Sequence, residues 1–492
     1  MVPDRQTFHA LARQGTLIPV YREILADVDT PVSAFLKLRD CPYAWLLESV
    51  EGGERVGRWS FLGTSPEAVL KTRGRTYELT DQSGTRSGEL SADEDPLSQI
   101  KRLLERESFV PHGDLPPFVG GAVGYMAYDL VRFFEKLPDS GEDDLELPDC
   151  WFMLTDTCIC FDRVLNRAKV IAMARVGEDG PDAAYYDACA KIEAVVAKLR
   201  RPVPVPAMPA PGGAIEVTSS HTRESYEAMV SHVKEYIAAG DIIQVVPSQR
   251  FQAKTTADPF DVYRALRSIN PSPYMYYLQL DGTCLCGSSP EILVSEHSGR
   301  VRTRPIAGTR KRGATPEQDL ALERELLADE KERAEHIMLV DLGRNDLGRV
   351  CNYGTVEVDE LMVIERYSHV MHIVSDVVGQ LRMDRDAYDV LRACFPAGTL
   401  TGAPKIRAME IIDEVEPMRR GPYGGAIGYF SYNGAMDSCI TIRTAVLRDG
   451  VCYWQAGGGV VADSDPGAEY DETCNKAMAI RRAVELAERG LE

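Results

Sequence analysis

The stretch Tyr276-Tyr-Leu-Gln-Leu-Asp-Gly-Thr-Cys-Leu-Cys-Gly-Ser-Ser-Pro-Glu291-Ile-Leu-Val294 decides the fold class. Apolar residues alternate along it, and both cysteines of its Cys284-Leu-Cys286 pair fall on one side, as in strands with buried thiols. Ala44 to Ser49, Cys150 to Phe161 and Ile242 to Phe251 also read as strands, the second with another Cys-x-Cys pair, Cys158 and Cys160. Elsewhere the period is helical. Asp182 to Leu199 reads as a helix, and Thr222 to Ala239 as one that stops at Gly240, a left-handed cap. Pro316 to Leu339 reads as one long helix with a proline near its start and a charged outer face. Antiparallel-type strands and long helices mix without regular alternation, which predicts α+β rather than a doubly wound sheet.

A chain of 492 residues is long for a single core and predicts two lobes. The run Arg201-Pro-Val-Pro-Val-Pro-Ala-Met-Pro-Ala-Pro-Gly-Gly213 lacks backbone donors and favours extended geometry, so the boundary is placed there, giving lobes 1–213 and 214–492. Gly120-Gly-Ala-Val-Gly-Tyr125 and Gly424-Gly-Ala-Ile-Gly-Tyr429 echo one another across it. Either they are equivalent strands of two related halves, or glycine arose twice where backbones approach closely.

The formal net charge of −20 disfavours a nucleic-acid partner, whose binding needs a basic surface. The one basic cluster, Arg302, Arg304, Arg310, Lys311 and Arg312, surrounds the turn Pro305-Ile-Ala-Gly-Thr309 and reads as a local anion site. The amino terminus, Met1 to Ala12, mixes charges and has no apolar core of signal-peptide length, and no later uncharged apolar run approaches a membrane span, so a cytoplasmic protein with no membrane partner is expected. The cysteines lack the spacing of a zinc site.

Four groups of residues bear on chemistry. Glu332 with Glu335, and Glu469 with Glu472, are carboxylate pairs spaced to stack on one helix face. Facing one another they would supply hard oxygen ligands for Mg²⁺; apart, they are solvated helix faces. Glu291 follows a strand and a proline: it is either a solvated loop carboxylate or, half-buried, a carboxyl whose raised proton affinity suits a general acid, and His372 is either a packed, hydrogen-bonded histidine or a base. Gly457-Gly458-Gly459 continues into Val-Val-Ala-Asp463 rather than Lys-Ser/Thr, so it is no phosphate loop, but its bare amides suit a carboxylate. Arg443, in the alternating Thr441-Ile-Arg-Thr444, is either an edge residue or an anion clamp, the latter if the fold brings Tyr423 and Lys476 to it.

Taken in order, Gly287-Ser-Ser-Pro-Glu291, Pro305-Ile-Ala-Gly-Thr309, Ala334-Glu-His336, Val340-Asp-Leu-Gly-Arg-Asn-Asp-Leu-Gly-Arg349, His372, Phe395-Pro-Ala-Gly-Thr-Leu-Thr-Gly-Ala-Pro-Lys405, Gly421-Pro-Tyr-Gly-Gly425, Thr441-Ile-Arg443 and Glu469 to Lys476 resemble the chorismate-utilising enzymes. The match spans essentially Ser220 to Arg482. Leu46-Leu-Glu-Ser49, Gly57-Arg-Trp-Ser-Phe-Leu-Gly63 and Pro117-Phe-Val-Gly-Gly121 are similar to the amino-terminal region of the family's anthranilate-forming members. The resemblance implies a two-lobed fold of antiparallel sheets packed together with flanking helices.

It also implies a branch of chemistry. Gln244 stands where isochorismate- and salicylate-forming members carry a lysine that activates water, and Ala307 where aminodeoxychorismate-forming members carry a nucleophilic lysine. What remains is direct addition of ammonia to chorismate, giving anthranilate and pyruvate, the first step of tryptophan biosynthesis. On the resemblance, Glu335 and Glu472 bind Mg²⁺ with Glu332 and Glu469 beside them. Gly308, Thr309 and Gly457 to Gly459 hold the ring carboxylate, and Tyr423, Arg443 and Lys476 the enolpyruvyl end. Glu291 and His372 are acid and base, with Thr399 lining the pocket.

Glu48, Ser49, Pro273, Tyr274 and Met275 resemble the family's tryptophan feedback site. With no Gly-x-Cys-x-Gly elbow in the chain, a glutamine amidotransferase partner is implied, in a hetero-oligomer, expected as a heterotetramer. The alternatives are aminodeoxychorismate or aminodeoxyisochorismate as product, or a non-catalytic subunit that binds tryptophan.

Overall fold

The computed structural model describes residues 1–50, 57–204, 215–367 and 370–492. Its frame is two large sheets with antiparallel pairing, of 11 and 12 strands, packed face to face. The fold is α+β, as the mixed periods predict. Trp45, Phe61, Phe118, Tyr276 and Tyr429 fill the space between the sheets, each large aromatic contributing about 2 to 3 kcal/mol by burial. Helices Gly180–Leu199, Pro259–Ile269 and Pro466–Glu488 cover the outer face of the 11-stranded sheet, and Pro96–Leu104, Glu330–Gly348 and Ala387–Cys394 that of the other.

Both sheets contain strands from both halves of the chain. In the 11-stranded sheet Tyr43–Glu48 lies beside Tyr274–Leu280, and in the 12-stranded sheet Gly121–Met126 lies beside Ala426–Ser431. Outward from these seams the two halves repeat one strand order. In each half one strand leaves the first sheet for the second, Trp59–Thr64 into Ala68–Arg73 and Thr283–Ser289 into Ile292–His297. Another returns, Cys150–Thr155 into Thr157–Asp162 and Met436–Ile440 into Thr444–Arg448.

The glycine echo is resolved by this topology. Its two copies are equivalent strands paired with each other, Gly124 opposite Gly428. A Cβ on Gly124 would lie 2.0 Å from the Trp151 carbonyl oxygen, and one on Gly428 2.1 Å from that of Asp437. Gly124→Ala is therefore expected to destabilise the chain by about 3 kcal/mol, at the upper end for overpacking. The check is a lower urea midpoint at unchanged slope; an unchanged midpoint would contradict the close approach.

Several elements differ from their sequence reading. Cys150 to Phe161 is two strands in different sheets, divided at Asp156, and Tyr276 to Val294 lies across three strands, Tyr274–Leu280, Thr283–Ser289 and Ile292–His297. Ile242 to Phe251 breaks into Gln244–Val245 and Ser248–Lys254. Pro316 to Leu339 is two helices, Pro316–Ala328 and Glu330–Gly348. Asp329 starts the second by accepting from the Lys331 and Glu332 amides at 3.1 Å each, a capping bond that competes with continued helix.

Pro305 to Thr309 is no turn: Ile306–Lys311 is a strand with a bulge between Ala307 and Thr309. Nor is the basic cluster an anion site. Arg302 pairs with Asp376, Arg304 with Glu365, Arg312 with Asp319, and Arg310 with Glu325, Asp329 and Glu332. The boundary expected at 213/214 lies outside the described residues.

Candidate active site

Glu291 and Arg443 occupy the two points where the second half crosses between sheets. Ladder pairing stops at a crossing, which frees the side chain to turn into the gap. Arg443 is therefore not a strand residue, as its alternating neighbours suggested. It has φ +49°, in the left-handed region, and its carbonyl accepts from the Ser288 amide at 3.1 Å. Burial lowers its proton affinity, with Glu291 and Tyr367 opposing. Its guanidinium makes no ion pair among the described residues, which leaves its fork open to an anion.

Glu291 is 8% exposed, and its Oε1 accepts from Thr399 Oγ1 at 3.1 Å. Burial pushes its carboxyl up to about 8, although Thr399, Arg443, the Ile306 amide and Lys476 all pull downward. It holds its proton at neutral pH, as a general acid must. His372 stands opposite Thr309 on Val370–Gln380. Its Nδ1 lies 3.0 Å from Thr309 Oγ1 and 3.2 Å from the Gly308 carbonyl. Burial, with Arg443 adding, holds this imidazole down at about 4, so it is neutral at pH 7. A carboxylate on Arg443 would remove one downward cause from each group, leaving Glu291 a firmer holder of its proton and His372 a stronger base.

Helices Glu330–Gly348 and Pro466–Glu488 bring the two carboxylate pairs toward each other. Glu335 is raised by burial, then by Glu332 and Glu472, with Gln244 and Lys476 opposing. Glu469 is raised by burial and by Glu472, and its Oε2 is buried with no hydrogen-bond partner among the described residues. Lys476 Nζ bridges Glu472 at 2.6 Å and the Gly457 carbonyl at 3.0 Å, and Arg310 meets Glu332 at 2.8 Å. No three His, Cys, Asp or Glu side chains among the described residues close into a metal-holding group. The donor set nonetheless fits Mg²⁺, which takes one or two carboxylates plus water and substrate oxygens, and a divalent cation would relieve the mutual repulsion.

The glycines lie where a side chain would intrude. A Cβ on Gly457 would meet the Tyr423 hydroxyl at 2.9 Å, one on Gly458 the Glu469 Oε2 at 2.9 Å, and one on Gly459 the Gln244 Nε2 at 2.6 Å. Gly457 thus joins Tyr423 to Lys476. Gly308 has φ +73°, and a Cβ there would reach Glu332 Oε2 at 3.3 Å.

Sequence reading gave Gln244 no structural role, yet its Nε2 donates to Glu335 Oε1 at 2.9 Å. A polar residue between apolar strand neighbours was the only signal. Asp346 and Lys405 lie inside quoted motifs and form an ion pair at 2.8 Å beside the pocket.

The five residues likened to a feedback site also come together, at the seam where Met275 pairs with Glu48. Glu48 accepts from Tyr263 at 2.5 Å and from Arg267 at 3.0 and 3.2 Å, and Ser49 Oγ is buried without a partner among the described residues. Glu48, Ser49, Pro273, Tyr274 and Met275 line a cavity of about 1240 Å³ whose walls also include Pro290, Ile292 and Ile306.

Residues 77–482 match the model of a protein family described as chorismate binding enzymes, and the chain belongs to that family. It is an enzyme acting on chorismate. Its full-length relatives include anthranilate synthase component 1 of Acetivibrio thermocellus, 48% identical over 491 residues and 99% of each chain. That of Aquifex aeolicus (strain VF5) is 49% identical over 487 residues, 98% of this chain and 97% of the other. Among solved structures, anthranilate synthase component I from Streptococcus pneumoniae TIGR4 superposes with a TM-score of 0.78 at 36% identity, covering 93% of this chain and 99% of that one. The resemblance to the family and to its anthranilate-forming members is borne out.

Proposed function

We propose that the chain is the large subunit of an anthranilate synthase, converting chorismate and ammonia to anthranilate and pyruvate. The observation that carries the reading is Glu291, a buried carboxyl protonated near neutral pH, set with a neutral His372 around an Arg443 that has no ion pair among the described residues. Arg443 and Tyr423 would take the enolpyruvyl carboxylate, with Lys476 adding positive charge. Gly308, Thr309 and the Gly457 to Gly459 amides would take the ring carboxylate.

Ammonia adds at C2 while the C4–O bond breaks, and Glu291 gives its proton to the departing oxygen, which leaves as water. His372 then takes the C2 proton as the C3–O bond breaks, and the side chain leaves as enolpyruvate, which takes up one proton at its methylene carbon to become pyruvate, so that the proton lost from C2 is balanced. The ring becomes aromatic, which makes this step irreversible. Glu335 and Glu472, with Glu332 and Glu469 beside them, would hold Mg²⁺, which supplies charge neutralisation at the ring carboxylate. Neither Gln244 nor Ala307 can act as the lysine of the water-adding or covalent branches. A glutaminase subunit in the same hetro-oligomeric assembly would supply the ammonia. Tryptophan at the seam would inhibit: Ser49 has an unfilled hydrogen bond for it among the described residues, and the cavity there is also lined by Pro290 and Ile292, the chain neighbours of Glu291.

The test follows anthranilate fluorescence from the purified chain with chorismate, Mg²⁺ and ammonium, with and without tryptophan. Anthranilate formed and suppressed by tryptophan is the expected outcome. Aminodeoxychorismate or aminodeoxyisochorismate accumulating instead, or no turnover, would overturn the assignment; turnover indifferent to tryptophan would remove the feedback site alone.

A further inference from the structure

Lys405 opens the helix Lys405–Val415 behind Pro404, which makes no side-chain capping bond. A cation in a first helical turn meets the positive end of its own macrodipole, so something else must hold it there. Its ammonium reaches Asp346 Oδ2 at 2.8 Å, in the last turn of Glu330–Gly348, where a cation is favoured. The two side chains are only 14% and 10% exposed. Burial pushes the Asp346 carboxyl up, and Lys405 draws it back.

Just before Lys405 runs a strap, residues 398–403, that touches both sides of the active site. At one end Thr399 donates to Glu291 at 3.1 Å. At the other, Ala403 pairs with Gln244, which donates to Glu335 at 2.9 Å. Gly398 lies so close to the Glu330–Gly348 helix that a Cβ would meet Leu342 Cδ2 at 2.0 Å. Glu291, Thr399 and Asp346 line one cavity of about 40 Å³ beside that helix.

We infer that the Asp346–Lys405 ion pair is a positioning device for the reaction, pinning the strap to the Glu330–Gly348 helix so that Glu291 and Glu335 keep one fixed spacing. It rests on reading Glu291 as the acid. Both residues act through others: neither need touch chorismate. A slip of the strap would loosen the Thr399 hydrogen bond, and displacements of about 1 Å cost on the order of 10²-fold in rate.

The experiment uses the full chain with chorismate, Mg²⁺ and ammonium, holding free ammonia constant as pH is varied. Lys405→Met is expected to lower kcat by about 10- to 10²-fold with a smaller change in KM, and Lys405→Arg to restore most of it. The alkaline limb of kcat reports Glu291, which Arg443 and Lys476 face on one side and Asp346 across the small cavity. In Lys405→Met that limb moves to higher pH, because the hydrogen bond that lowers Glu291 is lost. Thr399→Val moves it the same way, and the double variant moves it no further.

A loss of kcat with the limb in place, shifts that add in the double variant, or unchanged kcat would overturn the inference. If Lys405→Met does not fold, the double variant Asp346→Leu/Lys405→Met, which replaces the buried pair by apolar side chains, is held to the same criteria. Glu291→Gln separates the two readings. A limb that survives it defeats the acid assignment; a limb that vanishes with it, yet ignores Lys405→Met, defeats only the ion pair's role.

Discussion

Glu291→Gln lowers kcat by about 10³-fold, the scale of a positioned proton donor, while KM for chorismate changes little, because the lost interaction belongs to the transition state. Glutamine keeps the shape and still accepts from Thr399, but has no proton to give. Steady-state anthranilate formation checks this, and activity within a few-fold of the native chain would remove Glu291 from the chemistry. A second consequence follows by linkage. The folded chain keeps this proton up to about pH 8, whereas an unperturbed glutamate carboxyl releases it near 4.5. Between those values the folded state binds more protons than the unfolded one, so Glu291 makes stability fall as pH rises through that window. Glu291→Gln removes that fall. Its melting temperature without substrate should gain on the native chain between about pH 5 and pH 9; a constant difference would show that the raised proton affinity is absent.

Arg443→Met should cut kcat/KM by about 10²- to 10³-fold, the cost of stripping the partner from a buried anion. Most of the loss should appear in KM, since the clamp holds the carboxylate in ground and transition states alike. Arg443→Lys should recover little, because a point charge does not reproduce the bidentate fork. Free of substrate, Arg443→Met should melt no lower than the native chain, since it removes a cation that burial disfavours and no ion pair holds among the described residues. A variant with unchanged KM and lower melting temperature would make Arg443 a structural residue.

Much of the site was legible from local pattern. Helical spacing alone puts both members of each i, i+3 carboxylate pair on one side of its helix, although it took the tertiary structure to bring Glu472 within electrostatic reach of Glu335. Gly240 ends its helix at φ +86°, as a Cβ-free residue permits. Cys284 with Cys286 and Cys158 with Cys160 are buried pairs. Gln244 and the Asp346–Lys405 pair were opaque because their partners lie far off in sequence, and a hydrogen bond across a fold leaves no periodic trace. The basic cluster misled for the same reason: its acidic partners come mostly from other elements, such as Asp376 and Glu365.

By itself the sequence determined the mixture of strand and helix periods that makes the fold α+β, and it marked Glu291, His372 and the two carboxylate pairs as candidates for an acid, a base and hard oxygen ligands. These depend on side-chain period and chemistry, which are local. Only the tertiary structure decided that Cys150 to Phe161 changes sheets at Asp156, that Arg443 sits at a crossing instead of in a strand, and that both halves share each sheet. A period of two says that one face is buried, not which sheet buries it. The proton affinities of Glu291 and His372 were decided there too, because both are set mainly by burial, and burial is made by chain hundreds of residues away.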